Sequence, residues 1–366
     1  MKYFIFLLPI ILWNYHCIAQ TNSIVDIQEN GFNDKQKHFI FEKIKSYPQH
    51  SQLAIAIMTD GEVHYYGVEL EKDSIVEVNN ADHLFEIGSI TKVFTAALLA
   101  EMVVSNKMQL DDSIQQYLPF PIAINEKITL KQLSNHSSGL PRLPSNLDLY
   151  KVDINNPYKD YGEEKLKEYL THHIALSNRP GEKYDYSNLG TGLLGYILTL
   201  YTNVDYENLL HQFIFSKYNM SHSSTQYASE LGHLVVGLNS FGQPTTNWDL
   251  NVLRGAGDIK STVRDLSYFA TAIMDESNTA LQMTTEANFK VNSKMDIGLG
   301  WHITNQSDGE NILWHNGGTG GYTSCIALNK EAKQAAVVLS NVSAFHKDMD
   351  LIEQLCFELL DSLRED

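Results

Sequence analysis

Apolar positions recur at helical spacing over 34–47, with Phe39, Ile40, Phe41 and Ile44, and predict a helix. The stretches 52–58 and 63–68 read as two strands around a Thr59-Asp60-Gly61 turn, a hairpin pattern. FEIGSITKVFTAALL follows from Phe85: a short extended piece, a turn at Gly88-Ser89, then an apolar helix ending near Asn106-Lys107. Leu110-Asp111-Asp112-Ser113 opens a short helix that Pro119 and Pro121 stop, 129–133 starts another, and 135–144 is a Gly/Pro/Ser loop. Helical spacing returns at 163–176, 189–202 and 206–215, so the region to about Asn251 reads as mostly helical. A glycine-containing loop over 254–261 precedes a helix over 262–274, capped by Thr262 with Asp265 at the capping-box spacing. Strand patterns at 300–304, 312–315, 323–328 and 335–339 lead to a closing amphipathic helix over 348–363. This order predicts an α/β plus α architecture, an antiparallel sheet flanked by helices with a mainly helical inserted domain. Residues 20–105 and 255–366 would form the α/β domain and 106–254 the helical one, with the active site at their junction.

Length and composition sharpen this picture. A chain of 366 residues is long for one core, and 43% hydrophobic with 19% charged residues fits a folded globular protein. The net charge of -17 argues against nucleic acid or an anionic membrane surface as the main partner. Residues 1–19 read as an export signal: Lys2, an apolar run from Tyr3 to Trp13 too short to span a bilayer, and a Cys17-Ile18-Ala19 end. A lipoprotein signal wants a small residue before its Cys, and His16 stands there, so the expectation is cleavage near Ala19 without a stable membrane anchor. The mature chain would be periplasmic or secreted, and a monomer. Cys325 and Cys356 then remain, expected as buried free thiols, with a disulfide as the alternative.

Three stretches carry candidate chemistry. Ser89 and Lys92 lie three apart, so on a helix their side chains meet. Ser89 falls in the first turn, where free N–H groups favour developing negative charge, and the apolar neighbours of Lys92 disfavour its charged form. Nucleophile and proton acceptor is one reading of Ser-x-x-Lys; a Ser cap on a buried helix is the other. In PGEKYDYSNLG, Tyr186 is a candidate general base if a cation such as Lys92 stabilises its phenolate, and Asn188 offers an amide to Lys92 or to a substrate carbonyl. A packed Tyr and an Asn helix cap are the bland alternatives. In WHNGGTGGY the glycines let a substrate lie along a strand edge, and the N–H groups of Gly318 and Ser89 would form an oxyanion hole with His315 facing the substrate. The competing reading is a glycine-rich hairpin turn with a surface His.

Other residues add less. No G-x-S-x-G surrounds Ser89, which disfavours an α/β-hydrolase. His172 and His173 are adjacent and do not share a helix face; they read as solvated. His136 reads as holding its loop by hydrogen bonds. No paired His spacing or Cys cluster suggests a metal, and no cofactor is expected.

Between Ile87 and Asn341 the motifs follow a specific order. They are Ser89-Ile90-Thr91-Lys92, Leu110-Asp111-Asp112, Leu133-Ser134-Asn135-His136-Ser137-Ser138-Gly139-Leu140-Pro141, and Pro180-Gly181 before Tyr186-Ser187-Asn188. Gly255-Ala256-Gly257 with Ser261-Thr262, Gly298-Leu299-Gly300-Trp301 and His315-Asn316-Gly317 complete the set. Together they resemble the serine β-lactamase and penicillin-binding protein superfamily, closest to class C β-lactamases and their DD-peptidase, D-aminopeptidase and family VIII esterase relatives. The resemblance implies that Ser89 is the acylated nucleophile, that Lys92 and Tyr186 transfer protons, and that Asn188 positions substrate. It also implies that His315, Asn316, Gly317 and Gly318 bind substrate, His315-Asn316-Gly317 standing where the family carries Lys-Thr-Gly. Efficient β-lactamases usually have Lys there, whereas His is common in the peptidases and esterases. An ordinary imidazole titrates near pH about 6.5, so His315 is expected to read substrate charge in a pH-dependent way. The implied function is an exported serine hydrolase acting through an acyl-enzyme, a β-lactamase, with carboxypeptidase, aminopeptidase or esterase as alternatives and a β-lactam or peptide acyl donor as partner. A sensor that is acylated without turnover is the rival from another class; it would need a membrane-spanning segment, which the sequence does not offer beyond the export signal.

Overall fold

The computed structural model describes residues 31–364 except 73, 228–231 and 307–308. The export-signal expectation for residues 1–19, Cys17 included, lies outside them. The strands are β1 (Gln52–Thr59), β2 (Glu62–Glu71), β3 (Ser74–Glu77), β4 (Phe85–Glu86), β5 (Lys260–Ser261), β6 (Phe289–Lys290), β7 (Met295–Ile297), β8 (His302–Asn305), β9 (Asn311–Gly318), β10 (Thr323–Asn329) and β11 (Gln334–Ser340). The described residues form an antiparallel sheet in the order β3-β2-β1-β11-β10-β9-β8-β7-β6, so β1 and β11 join the two ends of the chain at its centre. The β1–β2 hairpin turns through Asp60 and Gly61, both at positive φ, the mirror-image turn whose twist matches that of its strands.

Both faces of the sheet are covered. Helices α1 (Asp34–Ile44) and α9 (Asp350–Ser362) pack on one face with Leu53, Ile55 and Ile57 of β1. Ala54, Ala56 and Met58 point to the other face, toward α2 (Thr91–Val104) and α7 (Val263–Met274). Strands buried on both faces read as continuous apolar runs rather than as alternation, as β1, β10 and β11 do. Cys325 and Cys356 are free and buried within the layer between the sheet and α9. No helix of the described residues is long and apolar enough to cross a membrane.

The stretch 106–254 is less helical than its spacing predicts. It holds α3 (Leu130–Ser134), α4 (Glu163–Glu168), α5 (Asn188–Thr202) and α6 (Tyr206–Leu210), with wider helical turns at Tyr169–His173 and His211–Phe215. The loop expected at 135–144 continues to 162, and residues 216–227 and 232–250 form turns and extended loops where helix was expected. Their Asp and Asn side chains take over local backbone bonds: Asp148 accepts from Tyr150 N at 3.1 Å, Asp153 from Asn155 N at 3.1 Å, and Asn239 from Phe241 N at 2.9 Å. A 3-10 turn, Asn251–Ala256, runs into the loop expected at 254–261, which ends in β5, paired with β4 just ahead of Ser89. Also outside the sequence reading are β3, β6, β7 and α8 (Thr279–Thr285), all too short for periodicity to declare them.

Candidate active site

Ser89 sits in a 3-10 turn, Gly88–Ile90, that runs directly into α2. The turn is tied down on both sides. Ile87 N donates to Ile259 O at 3.0 Å, Ser324 Oγ donates to Ile87 O at 2.9 Å, and Ile259 N donates to Thr91 Oγ1 at 3.1 Å. Gly88 has φ +49°, and a Cβ there would lie 2.5 Å from Gly318 N, so the Ser89 turn and the end of β9 abut through their backbones. Apolar residues surround α2 on all sides, which makes it a buried helix running through the core rather than an amphipathic one.

That burial decides the state of Lys92. Its side chain is 0% exposed, and its Nζ lies 3.0 Å from Ser89 Oγ, 2.9 Å from Asn188 Oδ1 and 2.7 Å from Ala256 O. Burial, aided by the nearby Arg142 guanidinium, holds its pKa well below 10.5. A neutral amine has two N–H donors and one lone pair. Ala256 O and Asn188 Oδ1 take the two donors, which turns the lone pair toward the Ser89 hydroxyl.

Tyr186 and Asn188 are delivered by a loop that His136 pins. Asp185 N donates to His136 O at 2.8 Å and Ser187 N to His136 Nδ1 at 3.2 Å. Ser187, not Asn188, caps α5, its Oγ accepting from Gly190 N at 2.9 Å; Asn188 is left to meet Lys92. Burial pushes the Tyr186 phenol up to about 12, partly offset by a hydrogen bond with Ser89 and by Arg142. Both shifts disfavour an ammonium–phenolate pair, which suits Lys92 better than a Tyr186 phenolate as proton acceptor.

β9 supplies the other wall. β8 pairs with β9 only as far as Trp314, opposite His302, so the β8-side edge of β9 beyond it is not covered by a strand. Gly317 and Gly318 line the cleft there. His315 does not behave as expected. Its ring is 0% exposed and absent from the cleft lining, lying between Tyr186 at 6.3 Å and His302 at 5.0 Å between ring centroids. Nδ1 donates to Asn316 O at 2.6 Å, and Nε2 has no hydrogen-bond partner among the described residues. Burial first, then the neighbouring His302 and Lys92, holds its pKa well below 6.5, so the ring is neutral near pH about 7. The expectation of an exposed, titrating His315 that reads substrate charge is thus corrected. The Asn316 amide is likewise committed elsewhere: Nδ2 donates to Glu353 Oε2 of α9 at 2.6 Å, although the residue borders the cleft.

The sequence model of the family described as Beta-lactamase matches residues 41–359. The chain belongs to the beta-lactamase family. Penicillin-binding protein 4* of Bacillus subtilis (strain 168) is 24% identical over 339 residues, covering 84% of this chain and 72% of that protein. Protein flp of Staphylococcus aureus (strain NCTC 8325 / PS 47) is 25% identical over 303 residues, covering 76% of this chain and 57% of that protein. The chain thus spans little more than half the length of Protein flp. Among solved structures, a β-lactamase/D-alanine carboxypeptidase from Pseudomonas syringae matches with a TM-score of 0.74 at 21% identity, over 89% of this chain and 98% of that one. A class C β-lactamase in complex with cefoxitin matches with a TM-score of 0.76 at 22% identity, over 90% and 98%. These structural likenesses show the fold.

On that family fold, Ser89, Tyr186, Asn188, Asn316, Gly317 and Gly318 line one cleft of about 600 Å³, with Lys92 buried behind Ser89. Sequence reasoning missed Arg142, Tyr158, Trp248 and His302, which also line it. Tyr158 accepts from Asn188 Nδ2 at 3.4 Å and packs on Trp248, while the Tyr184 hydroxyl bonds to His302 Nε2 at 3.0 Å. Arg142 alone carried a readable signal, a cation placed directly after the Gly139-Leu140-Pro141 bend of a recognised motif.

Proposed function

We propose that this chain is an acyl-transferring serine hydrolase, a β-lactamase, that forms an ester on Ser89. The observation that carries the reading is the three-way environment of Lys92 Nζ, 3.0 Å from Ser89 Oγ and bonded to Asn188 Oδ1 and Ala256 O, which in the neutral amine turns the lone pair toward the Ser89 hydroxyl. As Ser89 Oγ attacks the acyl carbon, its proton passes to Lys92. The carbonyl electron pair moves onto oxygen, where the N–H groups of Ser89 and Gly318 receive the charge, an arrangement worth on the order of 10²-fold or more per donor. The carbonyl re-forms, the bond to the leaving nitrogen or oxygen breaks, and the Tyr186 hydroxyl gives that atom its proton while Lys92 returns one to the phenol. Water then attacks the ester by the same steps, and Ser89 leaves with a proton. Neither metal nor cofactor enters this sequence. Export on residues 1–19, action as a monomer and the division at about 106 and 254 belong to the same reading.

A specific observation favours a second reading. The strand position that carries Lys in efficient β-lactamases holds a neutral, buried His315, which suits D-amino-acid peptides or esters. Turnover of a cephalosporin, a D-Ala-D-Ala peptide and a short-chain aryl ester, measured side by side, separates the cases. The β-lactamase reading expects multiple turnovers of the cephalosporin; peptide or ester turnover alone would replace it, and a single acylation without release would make the protein a sensor.

A further inference from the structure

We propose that Arg142 is the residue that receives an anionic group of the acyl donor, a carboxylate above all, in place of the cation that His315 does not provide. The inference rests on the acyl-transfer reading above and names its substrate class. Among the described residues Arg142 is the only Lys or Arg lining the cleft, and no Asp or Glu lines it. Its guanidinium makes no hydrogen bond or ion pair with a described side chain. Its charge is held instead over the Tyr186 ring, 5.0 Å from the ring centroid, with Lys92 Nζ 4.8 Å from the same centroid.

The backbone fixes that placement. Leu189 N donates to Arg142 O at 3.2 Å, Ser187 Oγ donates to Pro141 O at 2.7 Å, and Ser177 N donates to Gly139 O at 2.8 Å. The loop bearing Arg142 is therefore laced to the same start of α5 that presents Tyr186 and Asn188. A planar guanidinium with free N–H groups matches a carboxylate with two parallel hydrogen bonds. The remaining walls are largely aromatic and aliphatic, with Leu143, Ile154, Trp248, Trp314 and Phe345 among them. They leave Arg142 as the feature that sorts substrates by charge. The side chain is exposed, so the pair remains partly screened and its effect modest.

The test compares matched esters: 4-nitrophenyl hemiglutarate with 4-nitrophenyl valerate, carrying a carboxylate on the acyl chain, and 3-acetoxybenzoate with phenyl acetate, carrying it on the leaving group. The readout is the ratio of kcat/KM, anionic over neutral, which cancels any change that Arg142 makes through Lys92 or Tyr186. Arg142→Gln is expected to lower the ratio about fivefold in at least one pair at low salt, and Arg142→Lys to recover part of it. Because a guanidinium does not titrate, the ratio in the parent protein is expected to be flat from pH about 6 to about 8. Unchanged ratios in both pairs for Arg142→Gln, or a parent ratio that falls through pH about 6.5 as an imidazole would dictate, overturn the proposal. Equilibrium binding of the hemiglutarate and the valerate to Ser89→Ala, with and without Arg142→Gln, reads the contact without chemistry. A preference for the hemiglutarate that depends on Arg142, in a protein whose ester turnover does not depend on Ser89, would keep this inference and end the acyl-enzyme reading. The absence of any such preference, where both ester ratios are also unchanged, ends the inference alone.

Discussion

Lys92→Ala is expected to slow acylation by on the order of 10³-fold or more, and adding Tyr186→Phe is expected to cost little further. In the proposed reaction each residue has one task in a single proton circuit. Lys92 takes the Ser89 proton across 3.0 Å, and Tyr186, pushed up to about 12, keeps a proton to give to the leaving group. Without its acceptor the circuit does not start, so the second loss finds nothing left to remove. Fully additive losses in single-turnover acylation rates would contradict the shared role. The pH profile gives a second check. Lys92 works in its neutral form, so kcat/KM for a neutral ester should rise with pH through one ionisation and reach its plateau well below 10.5. Above that plateau Tyr186 stays protonated over the usual working range and adds no falling limb. A rise that continues to the ordinary lysine pKa would mean that Lys92 is an ordinary solvated amine.

Gly317→Ala is expected to damage both stability and chemistry. A Cβ at Gly317 would fall inside contact distance of Ile87 O and Ser324 Oγ, the atoms whose hydrogen bond straps the Ser89 turn to β10. The Ser324 hydroxyl can rotate away at the cost of that hydrogen bond, but Ile87 O is backbone and cannot withdraw freely. Ile87 is held by its own N–H bond to Ile259 O, and Gly317 by its place opposite Ser324 in the β9–β10 ladder. Overpacking of this kind costs about 3 kcal/mol, which for a chain of this length lowers Tm by about 4 °C. Forcing the Ser89 turn away from Gly318 also spoils the alignment of the two proposed oxyanion donors, and a misplacement of about 1 Å can cost about 100-fold in rate. Thermal unfolding and acylation kinetics of the variant read the two effects separately. A variant with parental Tm and parental acylation would show that the close approach of β9 to the Ser89 turn is not required.

The Ser89 helix was legible because its signals are local: glycine before the turn, Ser and Lys one turn apart, and apolar residues on every side. The antiparallel sheet was legible from its long central strands, whose burial on both faces leaves unbroken apolar runs. His315 could not be judged in the same way. A strand position is buried or exposed according to what covers it, and His315 is covered by His302 of β8 and by the Tyr186 loop, which His136 holds in place. Those layers come from three distant parts of the chain. Arg142 follows a readable bend, Gly139-Leu140-Pro141, but its placement over a tyrosine on another loop is a relation that no local spacing encodes. The loops at 145–162 and 232–250 misled the helical reading because their Asp and Asn side chains, polar residues compatible with a helix surface, spend themselves on turns.

The central claim is that Ser89 carries the acyl group. Incubating the protein with a fluorescent penicillin and with a fluorophosphonate, followed by peptide mass spectrometry, tests it most directly. The account predicts one covalent adduct, mapped to the peptide that contains Ser89, with the labelling abolished in Ser89→Ala. A stable adduct on any other residue, or labelling that survives Ser89→Ala, would contradict it.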